Sequence, residues 1–421
     1  MINRPGIRYL VAYVLITFAM LVSACADEPK DFPGRDFNPQ SLERVADFFR
    51  NEMAAGQVSG AVVLIQQHGK PVLEQSFGVR DPATGVPMTA DTIFRIYSMS
   101  KPITSVAAMM LVDDGKLGLD DPVAKYIPPF ADMKVGVETR HGDGKPGLAL
   151  QPLERPITIL DLLRHTSGIT YGFYGETAVR KLYAGSDLFD GDIDNATFAA
   201  RLAKLPLAEQ PGTRWDYGHS VDVLGRVVEV VSGQTLYQFE KQHLLGPLGM
   251  TETAFFLADP NRRDRVAEPL PQDRFSGPIA GLDDPLTPKR WESGGAGMIG
   301  TIGDYARFAQ MLLNGGSLDG RQYLRPETVK LMSTDHLGTG IARDEIYFPG
   351  PDSGFGLGFA VRTKAVSPFR TGEYRWNGVG GTFFFIDPKD DMFAIVMLQA
   401  PSQGGRIETA VRGLIYHALA P

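Results

Sequence analysis

Phe94-Arg95-Ile96-Tyr97-Ser98-Met99-Ser100-Lys101 leads into Pro102-Ile103 and an apolar run with helical spacing. From Ser98 to Asp114 the residues Ile103, Val106, Ala107, Met110 and Leu111 recur on one helical face, and Gly115 supplies the stop. Pro102 falls in the first turns, where a missing N–H costs little. A serine that opens such a helix lies one turn from Lys101, within reach of its amine. A serine hydroxyl attacks only when a base takes its proton. Lysine can be that base when its surroundings lower its pKa, and a helix N-terminus favours the developing negative charge. Alone the string is weak. A chain of this length holds about one S-x-x-K by chance, and a capping serine beside a surface lysine reads the same. Ser100 is the poorer nucleophile, because its partner three residues on is Ile103.

Two further stretches bear on the same chemistry. Trp215-Asp216-Tyr217-Gly218-His219-Ser220 precedes a helical run from Val221 to Ser232 that stops at Gly233. A tyrosine set against Ser98 and Lys101 could pass a proton between nucleophile and leaving group, whereas one packed at a helix entrance would be ordinary core. Tyr374-Arg375-Trp376-Asn377-Gly378-Val379-Gly380-Gly381-Thr382 is a strand that runs into glycines. Such glycines let backbone approach a ligand and leave N–H groups for an oxyanion, or they form a plain turn.

Around these stretches the chain has a clear order. A helix is expected over 41–55 with Ser41 as its N-cap and Leu42, Val45, Phe48 and Phe49 on one face. Strand-like runs over 60–67 and 71–78 meet at His68-Gly69-Lys70, a hairpin signature. From about Leu117 to Leu286 short helices alternate with long loops, with candidates at 161–165, 194–205 and 221–232. The Gly-rich, charged segment 138–154 reads as a solvated surface insertion or a flap. Strand character returns over 355–363, 372–376, 382–386 and 392–399, with a tight turn at Asp387–Asp391 and a closing helix over 405–418. Strands at both ends predict one antiparallel sheet built from both termini and flanked by helices, with an all-helical domain inserted: an α/β lobe over about 40–97 and 295–421 and a helical lobe over about 98–294.

The N-terminus carries Arg4 and Arg8, an apolar stretch from Tyr9 to Val22, and then Ser23-Ala24-Cys25-Ala26, the pattern of a secretory signal over 1–26. Val22-Ser23-Ala24-Cys25 fits a lipobox that would lipidate Cys25; plain cleavage after Ala24-Cys25-Ala26 is the competing reading. Either route predicts an exported bacterial protein, periplasmic or held at the membrane by its lipidated N-terminus. A polar, proline-bearing tether is read over 27–39. With Cys25 the only cysteine, no disulfide, thiolate metal site or Cys nucleophile remains after processing. A net charge of -7 with Lys and Arg scattered among acids excludes a basic nucleic-acid surface. There is no G-x-S-x-G elbow, no H-E-x-x-H among the seven histidines, no Walker A and no dinucleotide fingerprint, so no cofactor and no metal is expected.

The three motifs occur together and in a particular order. With Leu162-Leu163-Arg164-His165-Thr166-Ser167-Gly168, Pro211-Gly212-Thr213-Arg214-Trp215-Asp216-Tyr217, Asp222-Val223-Leu224-Gly225 and the Phe385-Ile386-Asp387-Pro388 turn, the chain from about Ser41 onward resembles the serine β-lactamase and penicillin-recognising group. Within it the likeness is greatest to class C β-lactamases and family VIII carboxylesterases. The resemblance implies the β-lactamase/penicillin-binding-like fold, Ser98 as the acylated nucleophile and Lys101 and Tyr217 as its acid/base partners. It also implies an oxyanion hole from the N–H groups of Ser98 and Val379, and substrate contacts from Trp376, Asn377, Gly378 and His219. His165-Thr166-Ser167-Gly168 is read as a scaffold turn with no catalytic role.

Two departures bear on substrate. The group usually carries Asn two residues after the tyrosine, where His219 stands, and opens its third motif with Lys, where Trp376 stands. A flat apolar Trp suits an acyl or aromatic group rather than a carboxylate. Arg375 could supply charge nearby, but strand alternation turns it to the opposite face. The expectation is therefore a carboxylesterase acting on a small-molecule ester. A β-lactamase or D-amino-acid peptidase (DD-carboxypeptidase) with the same machinery is the alternative, and a non-catalytic binder of cell-wall fragments is the third reading.

Overall fold

The computed structural model describes residues 34–140, 146–275, 282, 284–343 and 346–419. The expected signal, Cys25 and most of the expected tether lie outside them. Eight strands form the main sheet: β1 (Gly60–Gln67), β2 (Lys70–Asp81), β3 (Val86–Pro87), β4 (Ser353–Phe355), β5 (Ala360–Arg362), β6 (Tyr374–Asn377), β7 (Phe383–Asp387) and β8 (Met392–Leu398). Their order is β4-β5-β6-β7-β8-β1-β2-β3, antiparallel throughout, so the first and last thirds of the chain meet where β1 pairs with β8. The sheet from both chain ends is thus as expected.

Its central strands are apolar on both faces because both are covered. Ala61, Val63 and Ile65 of β1 pack with Val396 and with α1 (Pro39–Ala54) and the closing helix, while Val62, Leu64 and Ile395 face the rest of the chain. That second face carries α2 (Ser100–Asp113) and α4 (Ile302–Leu313), with α3 (Ser220–Ser232) stacked on α2; α5 (Gly404–His417) closes the chain on the first face. A run buried from Ser100 to Met109 makes α2 a central helix, not the one-faced helix its spacing predicts. The sheet and the inserted helices share one apolar core around it, so the two expected lobes are parts of one compact unit from Gly34 onward.

Several boundaries differ from expectation. The N-cap of α1 is Asn38, whose side chain accepts from the N–H groups of Gln40 and Ser41, with Pro39 at the first helical position. The tether stops short of Pro39, since Arg35 pairs with the buried Asp390 at 2.7 Å and Asn38 N–H donates to Ala418 O at 2.8 Å. Residues 355–363 form two strands rather than one, because the chain turns at Gly356-Leu357-Gly358, where Gly358 has φ +93°. The segment 138–154 belongs to a surface hairpin, Lys134–Arg140 with Pro146–Pro152, whose 141–145 tip lies outside the described residues.

Candidate active site

Ser98 lies just ahead of α2, in a one-turn 3-10 segment (Tyr97–Met99) that the helix continues. Tyr97 before it has φ +42°, a left-handed backbone unusual for a large side chain and a sign of local strain. Neighbours hold this kink in place. Phe94–Arg95 pairs with Ile299–Gly300, and Ser100 Oγ accepts from Met298 N–H at 3.1 Å. On the opposite side β6 ends against it. A Cβ on Gly378 would lie 2.4 Å from the Ile96 carbonyl, and one on Gly380 would lie 2.7 Å from the Tyr97 ring. These glycines permit a close approach of the third motif to the Ser98 segment.

Three side chains converge here. Lys101 Nζ lies 3.1 Å from Ser98 Oγ and donates to Tyr171 Oη at 3.1 Å and to the Gly295 carbonyl at 2.7 Å. Tyr217 sits just ahead of α3 and lines the same cavity as Ser98, with the Lys101 amine 4.6 Å from its ring centre. Burial dominates the electrostatics. It brings the Lys101 pKa down to about 7, against a smaller opposing pull from the Asp222 charge. The same burial pushes the Tyr217 phenol well above its usual value, although the nearby Ser98 hydroxyl and the Trp376 N–H pull the other way. At neutral pH the site therefore holds an amine near its titration midpoint, with a substantial neutral fraction, beside a protonated phenol, so burial drives the two titrations apart. A neutral amine has two N–H groups, which match Gly295 O and Tyr171 Oη, and one lone pair left for the Ser98 proton.

Ser98 and Tyr217 open onto a cavity of about 220 Å³. Ser98, Tyr217 and the third motif from Trp376 to Val379 line one part of it, with Tyr174 and Phe348 adding an aromatic wall. Trp376 Nε1 donates to Tyr217 Oη at 3.3 Å, so the tryptophan also orients the phenol. Asn377 faces the cavity but its amide is engaged by Glu408 Oε2 at 2.7 Å. Val379 lies in the turn after β6, and among the described residues its N–H donates to no other backbone group. Ser98 N–H belongs to a first helical turn, where N–H groups lack an intrahelical acceptor. Arg375 points away from Trp376, as alternation predicts, toward Glu373, Ser353 and the Pro349 carbonyl.

One expected contact is overturned. His219 does not line the cavity; it is buried, bonds Asp222 Oδ2 at 2.9 Å and packs against Tyr171, Phe189 and Phe198. The cause is Gly218, whose backbone passes so close to Ile169 that a Cβ would lie 2.3 Å from its carbonyl oxygen; the chain turns there and carries the imidazole inward. Among the described residues the two buried ring nitrogens of His165 have no hydrogen-bond partner, and the ring packs 4.9 Å from that of Tyr217. Ser167 Oγ meets Ser220 Oγ at 2.8 Å, which fits the scaffold reading of this turn. Tyr171, Gly295, Asp222 and Glu408 were not singled out for the site by sequence. Asp222 stood in a quoted motif, but nothing local marked it as lying near Lys101.

With this geometry in place, likeness to other proteins is informative. The model of the Beta-lactamase family matches residues 45–416. Protein Rv1367c of Mycobacterium tuberculosis is 38% identical over 375 residues, covering 86% of this chain and 90% of that protein. Esterase EstB of Burkholderia gladioli is 31% identical over 399 residues, covering 89% and 94%. The solved structure of EstCE1, described as a hydrolase with promiscuous acyltransferase activity, superposes with a TM-score of 0.74 at 29% identity, covering 90% of this chain and 99% of that one. The chain belongs to the Beta-lactamase family.

Proposed function

We propose that the protein is a serine carboxylesterase that works through an acyl-enzyme on Ser98. The observation that carries this reading is the Lys101 amine, buried, brought down to about pKa 7 and 3.1 Å from Ser98 Oγ. In acylation Ser98 Oγ attacks the ester carbonyl while Lys101 Nζ takes its proton, and the N–H groups of Ser98 and Val379 hold the oxyanion. The ester C–O bond then breaks, and Tyr217 gives its proton to the departing alkoxide. Water attacks the acyl-enzyme with the same groups reversed, releasing the carboxylic acid and restoring the Ser98 hydroxyl. The aromatic wall of Trp376, Tyr174 and Phe348 suits an apolar acyl group. The Burkholderia gladioli relative, named an esterase, supports the ester over a β-lactam.

The test is a panel of graded p-nitrophenyl esters beside a chromogenic cephalosporin and a D-Ala-D-Ala peptide, with intact-mass detection of the acyl adduct. Esters are expected to be fastest, with the adduct mapped to the peptide carrying Ser98. Faster turnover of the cephalosporin or the peptide would move the assignment to the same machinery on another substrate. Absence of any adduct with a fluorophosphonate probe would favour a binding protein.

A narrower prediction concerns Trp376. Trp376→Phe keeps an aromatic wall but removes the bond to Tyr217 Oη. One neutral hydrogen bond is worth about 1 kcal/mol, so kcat is expected to fall roughly fivefold. Steady-state kinetics on the preferred ester check this: an equal rise in KM with unchanged kcat would assign the indole to binding alone.

A further inference from the structure

We propose that Asp222, braced by His219, is a positioning residue for Lys101: it pins the turn whose Gly295 carbonyl accepts from the amine. The inference rests on the reading of Lys101 as the base. Asp222 lies on α3 with its carboxylate buried between that helix and the turn at Ser293–Gly297. Its Oδ1 accepts from Ser293 Oγ at 2.6 Å and from Gly295 N–H at 3.0 Å, while Oδ2 meets His219 Nδ1 at 2.9 Å. The other end of the Gly295 residue, its carbonyl, takes the Lys101 hydrogen bond at 2.7 Å. A single residue therefore separates the buried carboxylate from the amine.

Space reinforces the link. A Cβ on Gly295 would lie 2.8 Å from Asp222 Oδ2, and one on Gly294 would lie 2.9 Å from the Thr104 methyl on α2. The two glycines let the turn lie flat between the helix that carries Asp222 and the helix that carries Lys101. Thr104 adds a second clasp, donating to the Gly294 carbonyl at 3.0 Å.

A buried carboxylate left unpaired would be costly, so this one needs a reason to persist. Hydrogen bonds and the charge of Lys101 hold its pKa down against burial, and its own charge pulls the Lys101 pKa up against the larger effect of burial. The groups that face Lys101 are Ser98, Tyr171 and Tyr217, with Asp222 acting through its charge and His165 feeling the charge of Lys101 in turn. Burial keeps His165 neutral and both phenols protonated through the neutral range. Asp222 is thus the fixed charge in this set, and His219, which bonds it, is the remaining titratable neighbour.

The test is the pH profile of kcat/KM for the full chain and for Asp222→Asn. The isosteric amide can still accept from Ser293 and Gly295 but carries no charge. Wild type is expected to lose activity below about pH 7, in step with Lys101. Asp222→Asn is expected to move that acid limb down by about one pH unit. A merely structural role would lower the melting temperature and the amplitude yet leave the limb in place; that result overturns the proposal. His219→Gln, which keeps a donor to Asp222 but does not titrate, is expected to retain the wild-type limb, and loss of the limb there overturns the proposal. Should Asp222→Asn fail to fold, Ser293→Ala removes one bond between Asp222 and the turn. It is expected to lower kcat about fivefold at unchanged KM, and an unchanged kcat counts against the inference. A wild type with no acid limb, or full activity in Ser98→Ala, would instead show that the base assignment itself has failed and takes the positioning role with it.

Discussion

Ser98→Ala is expected to remove ester turnover, lowering kcat by at least about 10⁴-fold, while the fold and the Lys101 site persist. The expectation follows from what the substitution leaves behind. Lys101 keeps its bonds to Gly295 and Tyr171, and Tyr217 keeps that from Trp376, so base and acid stay in place with no nucleophile between them. Water could enter the space of the lost hydroxyl, but it would not be held by a covalent bond to α2. The oxyanion donors remain, which is why a small residual rate over buffer is expected rather than none. Single-turnover release of p-nitrophenol and the mass of the protein after mixing are the measurements. An Ala variant that still shows a burst and an adduct would place the nucleophile elsewhere. Ser100 is the nearest competitor, but it is fully buried and its oxygen is committed to Met298 N–H.

What could be read from sequence was mostly what is local. Ser98 and Lys101 stand three residues apart, so a helix alone brings them together, and the actual 3-10 start before α2 changes this little. Tyr217 entered through the order of motifs rather than through any local signal, and the sheet built from both ends followed from strand-like runs at each end. What stayed hidden depends on contacts between segments far apart in the chain. Nothing at positions 171 or 295 marks them as partners of an amine at position 101; only the packing of α2 between sheet and insertion does so. Position in a motif does not fix side-chain direction: His219 follows Gly218, which passes close over Ile169, and its imidazole lies buried against Asp222. Glu408 reaches the cavity from α5, whose Ile407, Val411 and Ile415 are buried against the sheet. Helical spacing shows that apolar face, yet it cannot tell which neighbouring residue lies over a cavity formed by another part of the chain.

Lys101→Met should separate activity from stability in opposite directions. Loss of the general base is expected to lower kcat by about 10²–10⁴-fold. Yet the buried amine is a burden on the fold: its pKa is about 7 in the folded protein, against roughly 10.4 in an unfolded chain. Between those values the unfolded chain binds the extra proton, so wild-type stability rises with pH across that window and the penalty is full below it. A shift of this size corresponds to on the order of 5 kcal/mol. Methionine fills a similar volume without charge, but it leaves the Gly295 carbonyl and Tyr171 without their donor, a loss of about 1–3 kcal/mol. The balance favours the variant at low pH. Lys101→Met is expected to melt a few degrees above wild type at pH 6.5, with the gap closing and then reversing as pH approaches 10. Calorimetry across that range, with ester kinetics on the same samples, tests both halves. A variant that is inactive and also less stable at pH 6.5 would mean that the amine is held as a satisfied cation, and a cation cannot take the proton from Ser98.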